Sequence, residues 1–125
     1  MTTLEYFQAK LDATISPRGV TALRDHRPDS FVIVDVRIGP VPTVIPGAVR
    51  IPEPEISARM SELPKDKLLI LYCFETWCIL AAKSAIPLLQ AGHSVKELYG
   101  GIAAWESLHL PTDVIARPAT ISCDC

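Results

Sequence analysis

One apolar segment constrains the fold more than any other part of the sequence. Residues 68–72 read Leu-Leu-Ile-Leu-Tyr and carry no charge, which is typical of a strand buried on both faces of a parallel sheet. The run stops at Cys73, where a short loop begins. From Cys78 to Gly92 the apolar residues recur at helical spacing, which predicts a helix. The order strand, loop, helix therefore places Cys73 at the carboxyl end of a central strand.

The predicted position of Cys73 suits a reactive thiol. In open α/β folds, ligands bind at the carboxyl ends of the strands, and free N–H groups at the start of the next helix stabilise anions. Such surroundings favour the thiolate, which is the nucleophilic form of cysteine. A buried structural cysteine is the alternative, because cysteine also behaves as a small apolar residue. Both interpretations remain open at this point.

The rest of the chain repeats the order strand then helix, which predicts an α/β fold with right-handed crossovers. Further strands are predicted at residues 31–37, 48–51 and 95–99. Helices are predicted at residues 3–13, 17–27, 56–63 and 102–109, the second of them with Ser16 as its N-cap. The proline-rich stretch 39–47 is predicted to be a loop without regular structure.

Two groups of side chains are predicted to be structural. Trp105 and Tyr99 are expected in the core. The histidines are expected near helix ends, exposed to solvent, and they have no metal-ligand spacing: His26, His93 and His109.

Composition limits the class of protein. The 125 residues suit one domain, and 12 basic against 14 acidic residues give a net charge of -2. Nucleic acid and anionic membrane surfaces are therefore not expected as partners. No signal peptide or membrane span is recognised, so we expect a cytoplasmic protein, in which the four cysteines are reactive or metal-binding thiols rather than stable structural disulfides.

Several short motifs occur in a fixed order along the chain: Asp35-Val36-Arg37, Ile45-Pro46-Gly47-Ala48 with Ile51-Pro52, Tyr72-Cys73, Gly100-Gly101-Ile102-Ala103-Ala104-Trp105 and Leu110-Pro111. In these motifs, over roughly residues 14–114, the chain resembles a single-domain rhodanese-like (sulfurtransferase) protein. The resemblance implies an α/β fold whose five-stranded parallel sheet is flanked by helices. It divides the chain into an N-terminal helical extension (1–13), a rhodanese-like domain (14–114) and a C-terminal tail (115–125).

The resemblance also implies an activity and a site. Cys73 is implied to be the catalytic residue that takes up sulfane sulfur as a persulfide, without a cofactor or a metal. Its partners are then a small-molecule or protein sulfur donor and a thiol or cyanide acceptor. Backbone N–H groups of the active-site loop would stabilise the thiolate and the persulfide anion. That loop consists of Phe74, Glu75, Thr76, Trp77 and Cys78.

The loop differs from that of active family members, which usually carry a basic residue there. This loop has none and contains Glu75, whose charge opposes an anionic donor. We therefore expect thiosulfate to be a poor donor.

Three further residues have two interpretations each. Cys78 resembles the second cysteine of a subgroup with a Cys-x4-Cys loop and is either a resolving thiol or an apolar residue at the start of a helix. Asp35 and Arg37 either support the loop, with Arg37 supplying a positive charge, or form a structural ion pair.

Two other functions compete with sulfur transfer. One is a dithiol–disulfide redox protein that uses Cys73 and Cys78, and the other is a catalytically inactive, rhodanese-like regulatory module. The tail thiols Cys123 and Cys125 would relay sulfur or bind a soft metal, or else belong to an unstructured end. The helix at residues 3–13 and the tail also allow exchange between subunits, and hence a homodimer.

Overall fold

Five helices and seven short strands make up residues 1–115, the part of the chain that the computed structural model describes. The helices are α1 (Thr3–Ala13), α2 (Pro17–His26), α3 (Ile56–Arg59), α4 (Leu80–Gln90) and α5 (Gly101–Ser107). The strands are β1 (Thr14–Ile15), β2 (Phe31–Asp35), β3 (Thr43–Val44), β4 (Val49–Arg50), β5 (Leu68–Tyr72), β6 (Ser94–Leu98) and β7 (Asp113–Val114). Single 3₁₀ turns, Glu53–Glu55 and Met60–Glu62, flank α3.

The main sheet has five strands in the order β1-β6-β5-β2-β4, and all of its pairs are parallel. The predicted central strand, β5, does lie in the middle, with β6 on one side and β2 on the other. Its last residue, Tyr72, pairs with Asp35, the last residue of β2. The predicted α/β fold with a five-stranded parallel sheet is therefore confirmed, and the ends of β2 and β5 meet at one edge.

Both faces of β5 are buried, because its side chains alternate between two hydrophobic clusters. Leu69 and Leu71 pack in one cluster with Ala81 and Leu88 of α4. Ile70 and Tyr72 pack in the other, which also contains residues of α2, β6 and α5: Val20, Leu98, Ile102 and Trp105. Trp105 is fully buried, as predicted, and its indole N–H donates to the carbonyl of Pro111 (2.8 Å).

The prediction that residues 39–47 contain no regular structure was wrong. Thr43 and Val44 form β3, which pairs antiparallel with Val114 and Asp113 of β7. The prolines of the stretch lie on either side of these two residues, which keep their N–H donors. Because the partner strand is far away in the sequence, no local pattern indicates the pairing.

Two side-chain predictions were also wrong. Tyr99 is 43% exposed rather than part of the core, since it lies just after β6 and its ring faces the ammonium of Lys10 on α1, 5.0 Å from the ring centroid. His93 is only 4% exposed. Its backbone N–H donates to the carbonyl of Leu88 (3.0 Å), which folds the turn after α4 back against the helix.

The helix predicted at residues 3–13 is present as α1, although none of its residues is buried. A capping box between Thr2 and Glu5 fixes its start. Its end is fixed by Lys96 of β6, whose ammonium donates to the carbonyl of Asp12 (2.6 Å). Among residues 1–115, no helix is long and apolar enough to cross a bilayer.

Candidate active site

Cys73 lies directly after β5, where the chain leaves the sheet, and is only 2% exposed. Its backbone is held by the start of α5. The N–H of Ile102 donates to the carbonyl of Cys73 (3.0 Å), and the N–H of Ala103 donates to the carbonyl of Phe74 (3.0 Å). These bonds use N–H groups that an isolated helix leaves without a partner, and they fix the first two residues of the loop.

This contact requires glycine at position 101. Gly101 has φ of +61°, and a Cβ built on it would lie 2.6 Å from the carbonyl oxygen of Cys73. Gly100 has φ of +81°, and its Cβ would lie 2.5 Å from the Cβ of Ala104. The Gly-Gly pair therefore permits both a left-handed turn and the close approach of α5 to Cys73.

The remainder of the loop, residues 75–79, is much less constrained. Its internal backbone hydrogen bond runs from the N–H of Cys78 to the carbonyl of Glu75 (3.0 Å). The backbone N–H groups of residues 74–77 donate to no acceptor within residues 1–115. Trp77 is 70% exposed and Ile79 is 63% exposed. Of the loop N–H groups expected to stabilise a thiolate or persulfide, that of Cys78 is therefore used within the loop, while those of residues 74–77 have no acceptor in the described part of the protein.

Cys73 and Cys78 are joined by a disulfide across the loop, with their Cα atoms 6.4 Å apart. Cys78 is 9% exposed and packs in the same hydrophobic cluster as Cys73. The structure therefore brings the predicted nucleophile and the predicted resolving thiol within bonding distance. It holds Cys73 in its oxidised form, in which the thiolate is absent.

Asp35 and Arg37 form a buried ion pair at the end of β2, with side chains that are 0% and 3% exposed. Arg37 Nη2 donates to Asp35 Oδ2 (2.6 Å), and Arg37 Nε donates to Oδ1 (3.0 Å). Arg50 Nε lies 3.4 Å from the same carboxylate. Burial acts to lower the pKa of Arg37, but the hydrogen bonds and charge of Asp35 more than offset it, so the pKa is raised and the guanidinium stays charged.

This cluster reaches Cys73 through Tyr72. The hydroxyl of Tyr72 donates to Asp35 Oδ2 (2.9 Å) and accepts from the N–H of Ile45 (3.1 Å). Burial, together with the charge of Asp35, raises the pKa of Tyr72, so the phenol stays protonated and keeps donating. The guanidinium carbon of Arg37 also lies 5.7 Å from the ring centroid of Phe74. The residues on both sides of Cys73 are therefore tied to the end of β2.

Arg37 is placed next to the loop but does not offer it a free charge. Its Nη2 also donates to the carbonyl of Thr43 (2.7 Å), and the side chain is almost fully covered. The role of Asp35 and Arg37 in supporting the loop stays a prediction.

Two features of the site were not predicted. One is the hydroxyl of Tyr72, for which the signal was a single polar atom at the end of an aliphatic strand. The other is the contact between Gly101 and Cys73, which arises because β5 and α5 meet only in the folded chain. Within residues 1–115, no group of three or more His, Cys, Asp or Glu side chains could hold a metal ion. Cys123 and Cys125 lie outside the described residues.

The chain matches one protein-family model and is similar in sequence to two curated proteins, a transcriptional regulator and a sulfurtransferase. A family model for the rhodanese-like domain matches residues 20–108. The chain is 36% identical over 69 residues to an HTH-type transcriptional regulator of Mycobacterium tuberculosis, an alignment that covers 55% of this chain and 30% of the regulator. It is 34% identical over 86 residues to a sulfurtransferase of Allochromatium vinosum, covering 66% of this chain and 78% of that protein. The chain thus spans less than a third of the regulator but most of the sulfurtransferase.

Solved structures show the same architecture. A full-length protein from Lactobacillus plantarum superposes with a TM-score of 0.84 at 26% identity, covering 90% of this chain and 96% of that one. A Bacillus halodurans protein gives 0.80 at 28% identity, covering 89% and 83%. A thiosulfate sulfurtransferase from Pseudomonas aeruginosa gives 0.69 at 25% identity, covering 86% of this chain but 21% of the larger protein.

Proposed function

Because this chain belongs to the family of rhodanese-like domains, we propose that it is a sulfurtransferase that carries sulfane sulfur as a persulfide on Cys73. The relative named as a sulfurtransferase and the structural similarity to a thiosulfate sulfurtransferase support sulfur transfer in general terms. In this chain the proposal is carried by one observation. Cys73 lies at the carboxyl end of the central strand, beside backbone N–H groups that have no acceptor within residues 1–115.

In the first half-reaction, the thiolate of Cys73 attacks the outer sulfur of a persulfide donor. The new S–S bond forms on Cys73 as the donor's own S–S bond breaks, and the donor leaves as a thiolate. Charge is conserved, because the negative charge of the Cys73 thiolate passes to the leaving thiolate of the donor. The new persulfide on Cys73 then loses its proton to solvent and becomes an anion. Loop N–H groups at residues 74–77 would stabilise that anion.

In the second half-reaction, the acceptor attacks the outer sulfur of the Cys73 persulfide. A thiolate acceptor leaves as a persulfide and cyanide leaves as thiocyanate, and in both cases the Cys73 thiolate is restored. No oxidant or reductant is consumed in the cycle. The cycle begins from the reduced cysteine, so the disulfide between Cys73 and Cys78 must first be opened by a dithiol reductant.

The charge around the loop favours donors with little negative charge. Glu75 is exposed on the loop, and the nearby Arg37 is paired with Asp35. A dianion such as thiosulfate would therefore meet a carboxylate without a compensating free cation from Arg37. We propose persulfides of thiols, small or protein-bound, as the donors.

The test measures intact mass after sulfur loading. The protein is reduced, freed of reductant and incubated with a thiol persulfide or with thiosulfate, and peptide mapping then locates any added sulfur. We expect one added sulfur atom on Cys73 with the thiol persulfide, less with thiosulfate, and none in Cys73→Ser. If no donor adds sulfur to Cys73, the protein is not a sulfurtransferase of this kind.

A dithiol–disulfide redox protein is the second candidate, and the disulfide across the loop favours it. Here the thiolate of Cys78 attacks the inner sulfur of a Cys73 persulfide, so that the disulfide forms and hydrosulfide leaves. A dithiol reductant reopens the bond with two electrons. Titration in glutathione redox buffers separates the two candidates. A pair that stays reduced throughout the cytosolic range cannot serve as a redox couple there, whereas Cys78→Ser should still load sulfur if Cys73 acts alone.

A further inference from the structure

A cavity of about 350 Å³ lies beside the loop, between α1 and the end of β6. Its volume is at the lower end of the range for small-molecule sites. Its walls come from α1, from β6 and the residues after it, and from the active-site loop. The lining side chains that matter here are Tyr6, Lys10, Thr76, Glu97 and Tyr99.

The cavity is lined by a cation, Lys10, and an anion, Glu97, that are not paired with each other, and Met1 also lines it. The Lys10 ammonium lies over the ring of Tyr99, 5.0 Å from its centroid. Neither Lys10 nor Glu97 forms an ion pair within residues 1–115. The neighbouring Lys96 does not pair with Glu97, because its ammonium donates to the carbonyl of Asp12 at the end of α1. Burial raises the pKa of Glu97, which means that its carboxylate is held with incomplete solvation.

We propose that this cavity is the acceptor subsite and takes a small thiol with an amino-acid head group. In this arrangement the α-ammonium of the acceptor pairs with Glu97 and its α-carboxylate pairs with Lys10. The inference rests on the proposed function, because it assigns the cavity to the acceptor of the sulfur on Cys73. Two opposite charges that form no ion pair within residues 1–115 line one cavity of this size, so they complement a zwitterion, and each pair would be a charge-assisted hydrogen bond. Lys10 can keep its contact with the face of the Tyr99 ring in this arrangement.

The cavity adjoins the active-site loop, although Cys73 itself does not line it. Thr76 of the active-site loop and Gly100 both line it. The next residue, Gly101, packs directly against the carbonyl of Cys73. A zwitterion held by Lys10 and Glu97 would therefore lie against the same loop that carries the persulfide, with its thiol as the free end of the molecule.

The transfer test removes one charge at a time from the acceptor and from the protein. Protein loaded with sulfur on Cys73 is mixed with cysteine, with cysteamine, which lacks the carboxylate, or with 3-mercaptopropionate, which lacks the ammonium. Transfer rates are expressed per thiolate, since the three thiols ionise differently. We expect cysteine to be faster than either analogue by about tenfold, the size of one charge-assisted hydrogen bond.

The matched variants are Lys10→Met and Glu97→Gln. Lys10→Met should slow cysteine by about tenfold and leave cysteamine unchanged, whereas Glu97→Gln should slow cysteine and leave 3-mercaptopropionate unchanged. Lys65→Met and Glu106→Gln, which remove exposed charges elsewhere on the domain, should change no rate. Equal rates for the three thiols, or equal effects of each variant on all of them, would overturn the acceptor subsite.

Binding of S-methylcysteine tests the cavity without any sulfur transfer, because this zwitterion has no free thiol. Titration followed by amide NMR shifts should show saturable binding that weakens by about tenfold in Lys10→Met and in Glu97→Gln but not in the two control variants. Absent binding, or binding that the variants leave unchanged, would overturn the inference. Failure of Cys73 to load sulfur would instead overturn the proposed function, so the two failures are distinguishable.

Discussion

The two halves of the segment around Cys73, residues 72–74 and 75–79, differ in how firmly the rest of the protein holds them. In residues 72–74, the hydroxyl of Tyr72 donates to the buried Asp35, and the carbonyls of Cys73 and Phe74 accept from the start of α5. In residues 75–79 there is one internal backbone hydrogen bond, and the side chains of Trp77 and Ile79 are mostly exposed. Cys78 is the exception in this half, because it is buried and bonded to Cys73. Cys73 therefore lies in a well-supported segment, while residues 75–77 are more loosely attached.

Under the proposed function, this difference separates two properties. The position of a sulfur atom on Cys73 would depend on buried contacts, which tolerate little change. Recognition of donors would depend on exposed side chains, whose replacement costs little stability. Substitutions in the two halves should therefore affect different measurements: unfolding for residues 72–74 and their supports, and donor preference for residues 75–79.

The largest effect is expected from Asp35→Asn, which removes the charge that balances Arg37 inside the protein. Loss of one partner from a buried ion pair costs about 3 to 5 kcal/mol, because the other charge stays buried. Urea unfolding should show this loss. Sulfur loading on Cys73 should fall because the amide nitrogen of Asn replaces one of the two oxygens that accept from Arg37 and Tyr72.

The control is Glu62→Gln, which breaks an exposed pair with Arg59. Exposed pairs contribute little, so its urea midpoint should barely move. Equal shifts for the two variants would show that the cluster at the end of β2 is not the rigid support of the loop.

A smaller loss is expected from Gly101→Ala. The added Cβ would lie 2.6 Å from the carbonyl oxygen of Cys73, in a residue with φ of +61°. Overpacking and the left-handed backbone together should cost about 2 to 4 kcal/mol and displace Cys73. Gly39→Ala is the matched control, because Gly39 also has a positive φ (+88°) but its Cβ would meet nothing within 4 Å. If both variants lose the same stability, the contact between α5 and Cys73 contributes nothing beyond the backbone angle.

The sequence pattern was sufficient for four of the five strands of the main sheet and for the position of Cys73, whereas β1 was not predicted from it. The uncharged run at residues 68–72 has the pattern of a strand buried on both faces, and such a strand ends at the edge where ligands bind. Ser16 followed by proline predicted the start of α2, which the structure confirms with a hydrogen bond from the N–H of Gly19 to Ser16 Oγ (3.0 Å). These features depend on neighbours in the sequence, which is why they could be predicted.

Features that depend on distant contacts were not predictable in the same way. The strand β3 exists because Thr43 and Val44 meet β7, about seventy residues further along the chain. The exposure of Tyr99 follows from its place beside α1, where Lys10 lies over its ring. The cavity between Lys10 and Glu97 likewise forms only when α1 docks on β6. A single sequence contains no local signal for contacts between segments that lie far apart along the chain.

In the loosely held half of the loop, Trp77→Ala should have almost no effect on stability. The side chain is 70% exposed, and surface substitutions of this kind usually change the free energy of unfolding by less than about 0.5 kcal/mol. The rate of sulfur loading from a small persulfide should also stay the same. A loss of stability close to that of Gly101→Ala would mean that the two halves are held equally and would remove the distinction between them.

The smallest effect on stability, together with a clear effect on donor choice, is expected from Glu75→Arg. Glu75 is exposed, so its replacement should change the free energy of unfolding by less than about 0.5 kcal/mol. It should speed sulfur loading from thiosulfate by about tenfold at low ionic strength, because a repelling charge becomes an attracting one. The gain should shrink as salt is added, since screening acts within about 10 Å at 0.1 M salt. Glu106→Arg, at an exposed position on α5, makes the same change of net charge and serves as the control. If Glu75→Arg brings no gain with thiosulfate, or a gain that salt does not reduce, the charge of the exposed half does not set donor preference.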